Sequence, residues 1–295
     1  MPLVVVGSVN ADILLSGIAR LPSAGETVAA TTLAHQFGGK GANQAAVAAS
    51  IGADVTLIAA VGADAAGDAA LDDLRGLGVD TGFVRRSATS PTGTAVVAVD
   101  AHGENLIVIA PGANAEVDGA DAGRVLARGR GIVLACLEIP LAAVLSWARA
   151  ARAAGWTLVL NPAPAPVEPL SAELLGLVDV LVPNEHEFAQ LSGAEGLFAA
   201  GVGAVVVTRG ARGALVRTSH RSAERTAFPV AARDTTGAGD AFCAGLATAL
   251  AEGLDLYEAV DVAAACGALA TRGPGARGSL PTRREVDALL AGERS

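Results

Sequence analysis

The sequence predicts an α/β fold: a mainly parallel sheet covered by helices on both faces, with a small second sheet beside it. Two patterns carry this expectation. Short β-branched runs that are apolar at every position alternate with alanine-rich segments of helical period, and strands with no polar alternation belong in a sheet buried on both sides. Two other stretches, 13–36 and 92–109, are richer in threonine and alternate apolar with polar residues, as half-buried strands do.

Taken in order, Leu3–Gly7 is the first strand; its apolar run is too short for a signal peptide. The first lid stretch follows, then a helix at Gly41–Ile51, a strand at Val55–Val61 and a helix at Ala66–Gly76. In the second lid stretch, Thr94-Ala-Val-Val-Ala-Val-Asp and Asn105-Leu-Ile-Val-Ile flank a turn at Asp100-Ala-His-Gly and read as a hairpin. Strands at Ile132–Cys136, Thr157–Asn161, Val180–Val182 and Ala204–Thr208 alternate with helices at Leu141–Ala153 and Glu185–Leu191. Helices at Ala238–Glu252, Leu256–Thr271 and Arg283–Leu290 close the chain. No linker, repeat or charge block interrupts residues 1–295, so the chain reads as one domain with an inserted lid.

Composition narrows the function. A chain 52% hydrophobic and 17% charged has material for a core and none of the signature of disorder. A net charge of −9 repels phosphate backbones and anionic lipid, which argues against nucleic-acid and membrane partners. No apolar window spans a bilayer. Cys136, Cys243 and Cys266 lie far apart in apolar runs without metal-ligand spacing, as reduced core thiols do; the cytosol is the expected compartment.

Four segments bear chemistry. In Asp234-Thr-Thr-Gly-Ala-Gly-Asp-Ala-Phe, the small residues Gly237, Ala238 and Gly239 lead into a long helix. A helix start offers free N–H groups and positive potential, and small side chains let a phosphate approach them. Asp240 in the first turn either complements the dipole or takes a proton from a hydroxyl attacking a bound phosphate. In Phe37-Gly-Gly-Lys-Gly-Ala-Asn-Gln-Ala, which is no Walker A loop, a glycine turn presents Lys40 and Asn43 at a helix start, and Gly7-Ser-Val-Asn after the first strand is no dinucleotide fingerprint. Asn10 and Asp12, two apart on an extended segment, face one side and suit vicinal sugar hydroxyls, although an Asx turn accounts for them equally. Asn184 and Glu187, three apart after Pro183, could hold hydrated Mg²⁺; a helix cap with an acidic first turn is the plainer reading.

These segments, in this order and across nearly the whole chain, resemble the ribokinase family of carbohydrate kinases. Gly38-Gly-Lys-Gly-Ala-Asn-Gln-Ala looks like its first signature and the 234–242 run like its second; Pro22…Gly25-Glu-Thr-Val, Gly103-Glu-Asn, Gly112-Ala-Asn and Asn161-Pro-Ala-Pro-Ala add to the likeness. The resemblance implies a doubly wound sheet with a β-lid, ATP-dependent phosphorylation of ribose at its 5-hydroxyl, and dimerisation through the lid. It implies that Asn10, Asp12, Gly38, Gly39, Lys40, Gly41, Asn43 and Glu138 hold the sugar. Asp240 would then be both sugar ligand and general base, with backbone amides from Gly237 to Asp240 as the anion hole. Asn184, Glu187, Thr208, Gly210 and Gly239 would face ATP and Mg²⁺, and Asp234, Thr236, Thr271, Gly275 and Ser279 would surround an activating K⁺. Two departures stand out. The stretch 191–201 is shorter than the family's helix-bearing segment, and Ala263–Gly267 offers only small residues as an adenine wall. The competing expectations are a kinase for deoxyribose, fructose, a keto-deoxy sugar acid or adenosine, and a catalytically silent sugar-binding protein on the same fold. A nicotinamide oxidoreductase is weakened by the missing dinucleotide loop.

Overall fold

The computed structural model describes residues 1–102, 104–127 and 129–292. Its frame is an eight-stranded sheet. In chain order these strands are β1 (Leu3–Val6), β4 (Val55–Ile58), β9 (Ile132–Cys136), β10 (Thr157–Asn161), β11 (Val180–Leu181), β12 (Ala204–Thr208), β13 (Ala214–Thr218) and β14 (Ser222–Arg225). They lie side by side as β14-β13-β12-β11-β10-β9-β1-β4. The six from β12 to β4 are parallel, and the β13–β14 hairpin adds an antiparallel edge.

Burial explains the apolar runs. Leu3 and Val5 pack into one core and Val4 and Val6 into the other; Ile132 and Leu134 alternate with Val133 and Ala135 in the same way. Each residue of these strands therefore meets a helix layer, which is why no polar position interrupts them. The first layer is built mainly from α1 (Lys40–Ser50), α8 (Ala238–Glu252) and α9 (Leu256–Ala270), with α2 (Ala65–Gly76) and α10 (Arg283–Leu290). The second holds α3 (Ala122–Leu126), α4 (Leu141–Ala154), α5 (Ala172–Leu175) and α7 (Gly193–Ala199), while α6 (Glu185–Gln190) starts just beyond the end of β11.

The small sheet is ordered β3-β2-β7-β8, from β2 (Asn10–Ile18), β3 (Thr32–Gly38), β7 (Thr94–Asp100) and β8 (Asn105–Ala110). β7 and β8 form the expected hairpin; Gly103 of its turn lies outside the described residues. The lid is rooted narrowly. Asn10 begins β2 four residues after β1 ends, pairs with Gly38 at the end of β3, and bridges to Gly93 just ahead of β7. Residues 19–31 between β2 and β3 form no strand, so the first lid stretch holds strands only at its ends.

Three elements differ from expectation. The expected strand Val55–Val61 is two strands: β4 stays in the main sheet, while β5 (Ala60–Gly62) leaves it to pair with β6 (Arg85–Ser87). The β13–β14 hairpin was not legible, because its strands are short and carry Arg217, Glu224 and Arg225 at a sheet edge. The shortened stretch after Leu191 still forms a two-turn helix, α7, whose Leu197 is fully buried.

Candidate active site

The winding of the sheet locates the site. After β1, the chain adds β4 on one side and then β9 to β12 on the other, so strand order reverses around β1. Crevices outside the carboxyl ends of strands at such a reversal are where open α/β sheets bind ligands. Ser8 and Asn10 follow β1, Glu138 follows β9, Asn161 ends β10, Asn184 follows β11 and Thr208 ends β12. Residues far apart in sequence thus gather along one edge.

The glycine turn into α1 is sterically compulsory. Gly39 has φ 85°, and a Cβ there would lie 2.8 Å from the Asn10 backbone nitrogen. No L side chain fits that conformation and that gap. The turn brings the Lys40 N–H within 2.9 Å of Glu138 Oε2, which also accepts from Ser8 Oγ at 2.5 Å. Asn10 Oδ1 accepts from Asn114 Nδ2 at 2.8 Å, and Asp12 Oδ1 accepts from the Ala95 N–H at 2.9 Å. Asn10 and Glu138 line a cavity of about 300 Å³ together with Ile109 of the lid, Asn114 and Pro164. Burial is the main influence on the Asp12 carboxyl and raises it.

Gly237 plays the same part at α8. Its φ is 78°, and a Cβ would come within 2.7 Å of Ala276. The expected row of open amides is partly corrected: the Ala238 N–H donates to the Thr235 carbonyl at 3.2 Å. Among the described residues, the N–H groups of Gly237, Gly239 and Asp240 have no such acceptor. Gly239, whose Cα faces open space, lines a second cavity of about 440 Å³ with Thr208, Gly210, Thr235, Ala238 and Thr271.

Asp240 is buried and lines neither cavity, but it is tied to residues of both. It directly follows Gly239 of the larger one, and the charge of Glu138 in the smaller one acts on it. Asn43 Nδ2 donates to Asp240 Oδ2 at 3.0 Å and Gln44 Nε2 to Oδ1 at 3.2 Å. Each oxygen keeps a further lone pair, so the buried carboxylate can still accept a proton. Burial raises the Asp240 carboxyl; the Lys40 charge and the amide of Asn43 oppose that without cancelling it. A carboxyl lifted toward neutrality is a better matched base than an exposed one. Burial pulls the Lys40 ammonium down, but Asp240 and Glu138 more than compensate, so its affinity for the proton rises. Lys40 remains a firm cation whose charge acts on Asp240 and Glu138.

At α6 the plainer reading is realised. Asn184 Oδ1 accepts from the Glu187 N–H and Glu187 Oε2 accepts from the Asn184 N–H, both at 2.8 Å, a reciprocal capping box. The oxygen of Asn184 is therefore committed, and its free group is an amide donor, which suits a phosphate rather than a cation. Glu187 Oε1 has no protein partner among the described residues, and burial raises this carboxyl. It suits a water of hydrated Mg²⁺. Among the described residues no three His, Cys, Asp or Glu side chains cluster as a metal site.

The set expected around K⁺ is brought together in part. Asp234 accepts from the Thr236 N–H at 2.9 Å and the Gly275 N–H at 2.7 Å, and these bonds outweigh burial and lower its carboxyl. The Thr271 carbonyl is spent on the N–H groups of Arg233 and Asp234, and Ser279 Oγ donates to the Leu269 carbonyl. The Gly275 carbonyl likewise accepts from the Gly278 N–H at 3.3 Å.

Some site residues were not singled out from the sequence. Gln44 lies one turn beyond Lys40 on α1, and its Nε2 also donates to Asn161 Oδ1 at 3.3 Å. Ser8, Asn114 and Arg277 likewise reach the site only through folding. The small-residue wall at 263–267 is completed by Phe228, Val230 and Phe242, so the larger cavity does have an aromatic side. Phe242 sat within the second signature, two residues past Asp240. The three cysteines are buried and unpaired, and burial pushes the Cys136 and Cys266 thiols up to about 12.

Known carbohydrate kinases share this sequence pattern and fold. The pfkB family carbohydrate kinase profile matches residues 2–283. The chain is 38% identical to the ribokinase of Bacillus subtilis, covering 97% of this chain and 98% of that one. The crystal structure of Thermotoga maritima ribokinase superposes with a TM-score of 0.90 at 34% identity, covering 99% of both chains. That of Arabidopsis thaliana ribokinase complexed with ribose and ATP gives 0.89 at 37% identity, over 98% of both. The chain belongs to the pfkB family of carbohydrate kinases.

Proposed function

We propose that this chain phosphorylates ribose at the 5-hydroxyl with ATP, by direct in-line transfer and without a phosphoenzyme. The observation that carries this reading is the buried carboxylate of Asp240, set in the first turn of α8 directly after Gly239 of the larger cavity and held by two amide donors. The ribose and ATP bound by the Arabidopsis neighbour support the choice of substrates. In the step, the hydroxyl proton passes to Asp240 as the hydroxyl oxygen bonds to the γ-phosphorus, and the bond from that phosphorus to the β–γ bridging oxygen breaks to release ADP. The open amides of Gly237, Gly239 and Asp240 take the charge gathering on the transferring group.

On the sugar side, Asn10, Asp12, Gly38, Gly39, Lys40, Gly41, Asn43 and Glu138 bind the hydroxyls. The lining is neutral amide and carboxylate with one lysine, which favours a polyhydroxylated sugar over a sugar acid. Thr208, Gly210 and Gly239 flank the nucleotide, Phe228 and Phe242 pack the base, and the Asn184 amide donates to a phosphate. Mg²⁺ would neutralise charge on the β- and γ-phosphates, with Glu187 accepting from its water shell. K⁺ would add positive charge beside the anion hole, with Asp234, Thr236, Thr271, Gly275 and Ser279, mostly through carbonyl oxygens, as its holders.

Residues 1–295 act as one unit whose lid strands exclude water from the transfer. The exposed apolar strand from Leu106 to Ile109, with Leu33 also exposed on the same sheet, supports a homodimer through the lid. Unpaired thiols support a cytoplasmic setting. Among the described residues no helix is long and apolar enough to cross a membrane. An ADP-release assay with ribose, deoxyribose, fructose, a keto-deoxy acid and adenosine, with and without K⁺, tests the proposal. Faster turnover of another acceptor overturns ribose as the substrate, and ribose binding without ADP release overturns catalysis.

A further inference from the structure

The loop after α9 places a guanidinium behind the site, against Asn43. The Arg277 side chain is only 11% exposed. Its Nη1 reaches Asp73 Oδ2 on α2 at 2.6 Å, and its Nε donates to Asn43 Oδ1 on α1 at 3.0 Å. Asn43 then donates from Nδ2 to Asp240. Arginine carries five N–H donors and no acceptor, so the amide end it meets must be the oxygen. The other end of Asn43, its NH₂, is thereby fixed toward Asp240.

We propose that Arg277 is a positioning residue for phosphoryl transfer: anchored by Asp73, it locks the Asn43 amide with its donor toward Asp240 and so keeps the Asp240 carboxylate ready to accept a proton. The inference rests on the reading of Asp240 as the base. Without the guanidinium, the Asn43 amide is free to turn. Its oxygen then faces Asp240, and that arrangement favours the protonated acid, which has a proton to give and none to take. Loss of the positive charge acts in the same direction. The groups whose charge bears on Asp240 are Lys40 of α1, Cys136 and Glu138 at the end of β9, Glu187 of α6, Cys243 of α8 itself, and Arg277. Lys40 and Arg277 are the cations among them. Lys40 acts through space, whereas Arg277 acts also through the amide it orients. Burial raises the Asp240 carboxyl already, so it is poised to respond to either change.

The test compares the pH profiles of kcat for wild type, Arg277→Lys and Arg277→Met with the titration of the Asp240 carboxyl carbon, followed by ¹³C NMR on the sugar-free protein. Arg277→Met is expected to move both the acid limb and the carboxyl titration up by about one pH unit, with turnover on the acid side roughly tenfold lower. KM for ATP should stay within about twofold, because the guanidinium does not line the nucleotide cavity. Arg277→Lys, also a donor-only cation, should restore most of the wild-type profile. If Arg277→Met does not fold, Arg277→Gln supplies the same comparison, being neutral and able to present an oxygen to Asn43. Unmoved acid limb and carboxyl titration in the neutral variant overturn the proposal; so does a lysine variant displaced as far as the methionine one. The NMR reading needs no turnover. A displaced titration in Arg277→Met beside a fully active Asp240→Asn would remove Asp240 as base and leave the orienting role of Arg277 intact.

Discussion

Replacing Asp240 with Asn is the sharpest perturbation of the site, because it changes charge and leaves shape alone. Two donors face this side chain, Asn43 Nδ2 at 3.0 Å and Gln44 Nε2 at 3.2 Å. An amide can offer oxygen to one and must turn its own NH₂ toward the other. A lost hydrogen bond with a donor left facing a donor costs about 1–3 kcal/mol. A second effect opposes it. The Asp240 carboxyl is raised above its ordinary 3.8 by burial, so its contribution to stability is full below that value and is lost as pH rises through the folded pKa. At neutral pH the wild type bears the cost of a buried charge that the variant avoids. The stability difference should therefore shift in favour of the variant between about pH 4 and neutrality, and the net change in Tm at pH 7 should be a few degrees. Turnover should respond far more strongly. Removing the base should lower kcat roughly 10²- to 10⁴-fold, about 3–5 kcal/mol in the barrier. ADP release at saturating ribose and ATP measures the first quantity, and thermal melts across that pH range measure the second. A folded variant with undiminished kcat would refute the assignment of Asp240.

Other substitutions probe the surrounding parts. Glu138→Gln should cut kcat/KM for ribose about 10- to 100-fold, since one carboxylate oxygen accepts from both Ser8 Oγ and the Lys40 N–H; initial rates against sugar concentration check this. Gly39→Ala, placing a Cβ 2.8 Å from the Asn10 nitrogen at φ 85°, should destabilise the fold by more than about 1 kcal/mol and abolish sugar binding, as read by denaturant melts and calorimetry. Phe228→Ala should raise KM for ATP several-fold with KM for ribose unchanged, because it removes apolar area from the nucleotide cavity alone. Val108→Lys, on the exposed edge of the lid, should convert the proposed dimer to monomer in light scattering; a dimer of undiminished affinity would move the interface elsewhere.

How much of this was legible in the sequence depends on where the determining contact lies. The parallel strands were, because both faces of Leu3–Val6 and Ile132–Cys136 are buried and the run carries that fact locally. The break of Val55–Val61 at Ala59 was not: nothing in the run itself says that its last residues pair with Arg85–Ser87. The glycine turns and Asp240 stood out through local steric and dipolar logic. Gln44, Asn114 and Arg277 did not, since each owes its place to a partner roughly 100 to 230 residues away in the chain. Asn184 shows the opposite case, a residue whose local role as helix cap is so complete that it limits what else its oxygen can do.

The narrow root of the lid has a consequence for how the protein chooses what it modifies. Asn10, Gly38 and Gly93 tie three strands of the small sheet together at the point where it leaves the main one. Asn10, at that joint, is also a wall of the smaller cavity. An acceptor that sits badly against Asn10 therefore presses on the joint of the small sheet as well as on the cavity wall. One residue thus serves as wall and as joint, so a substitution at Asn10 alters both at once.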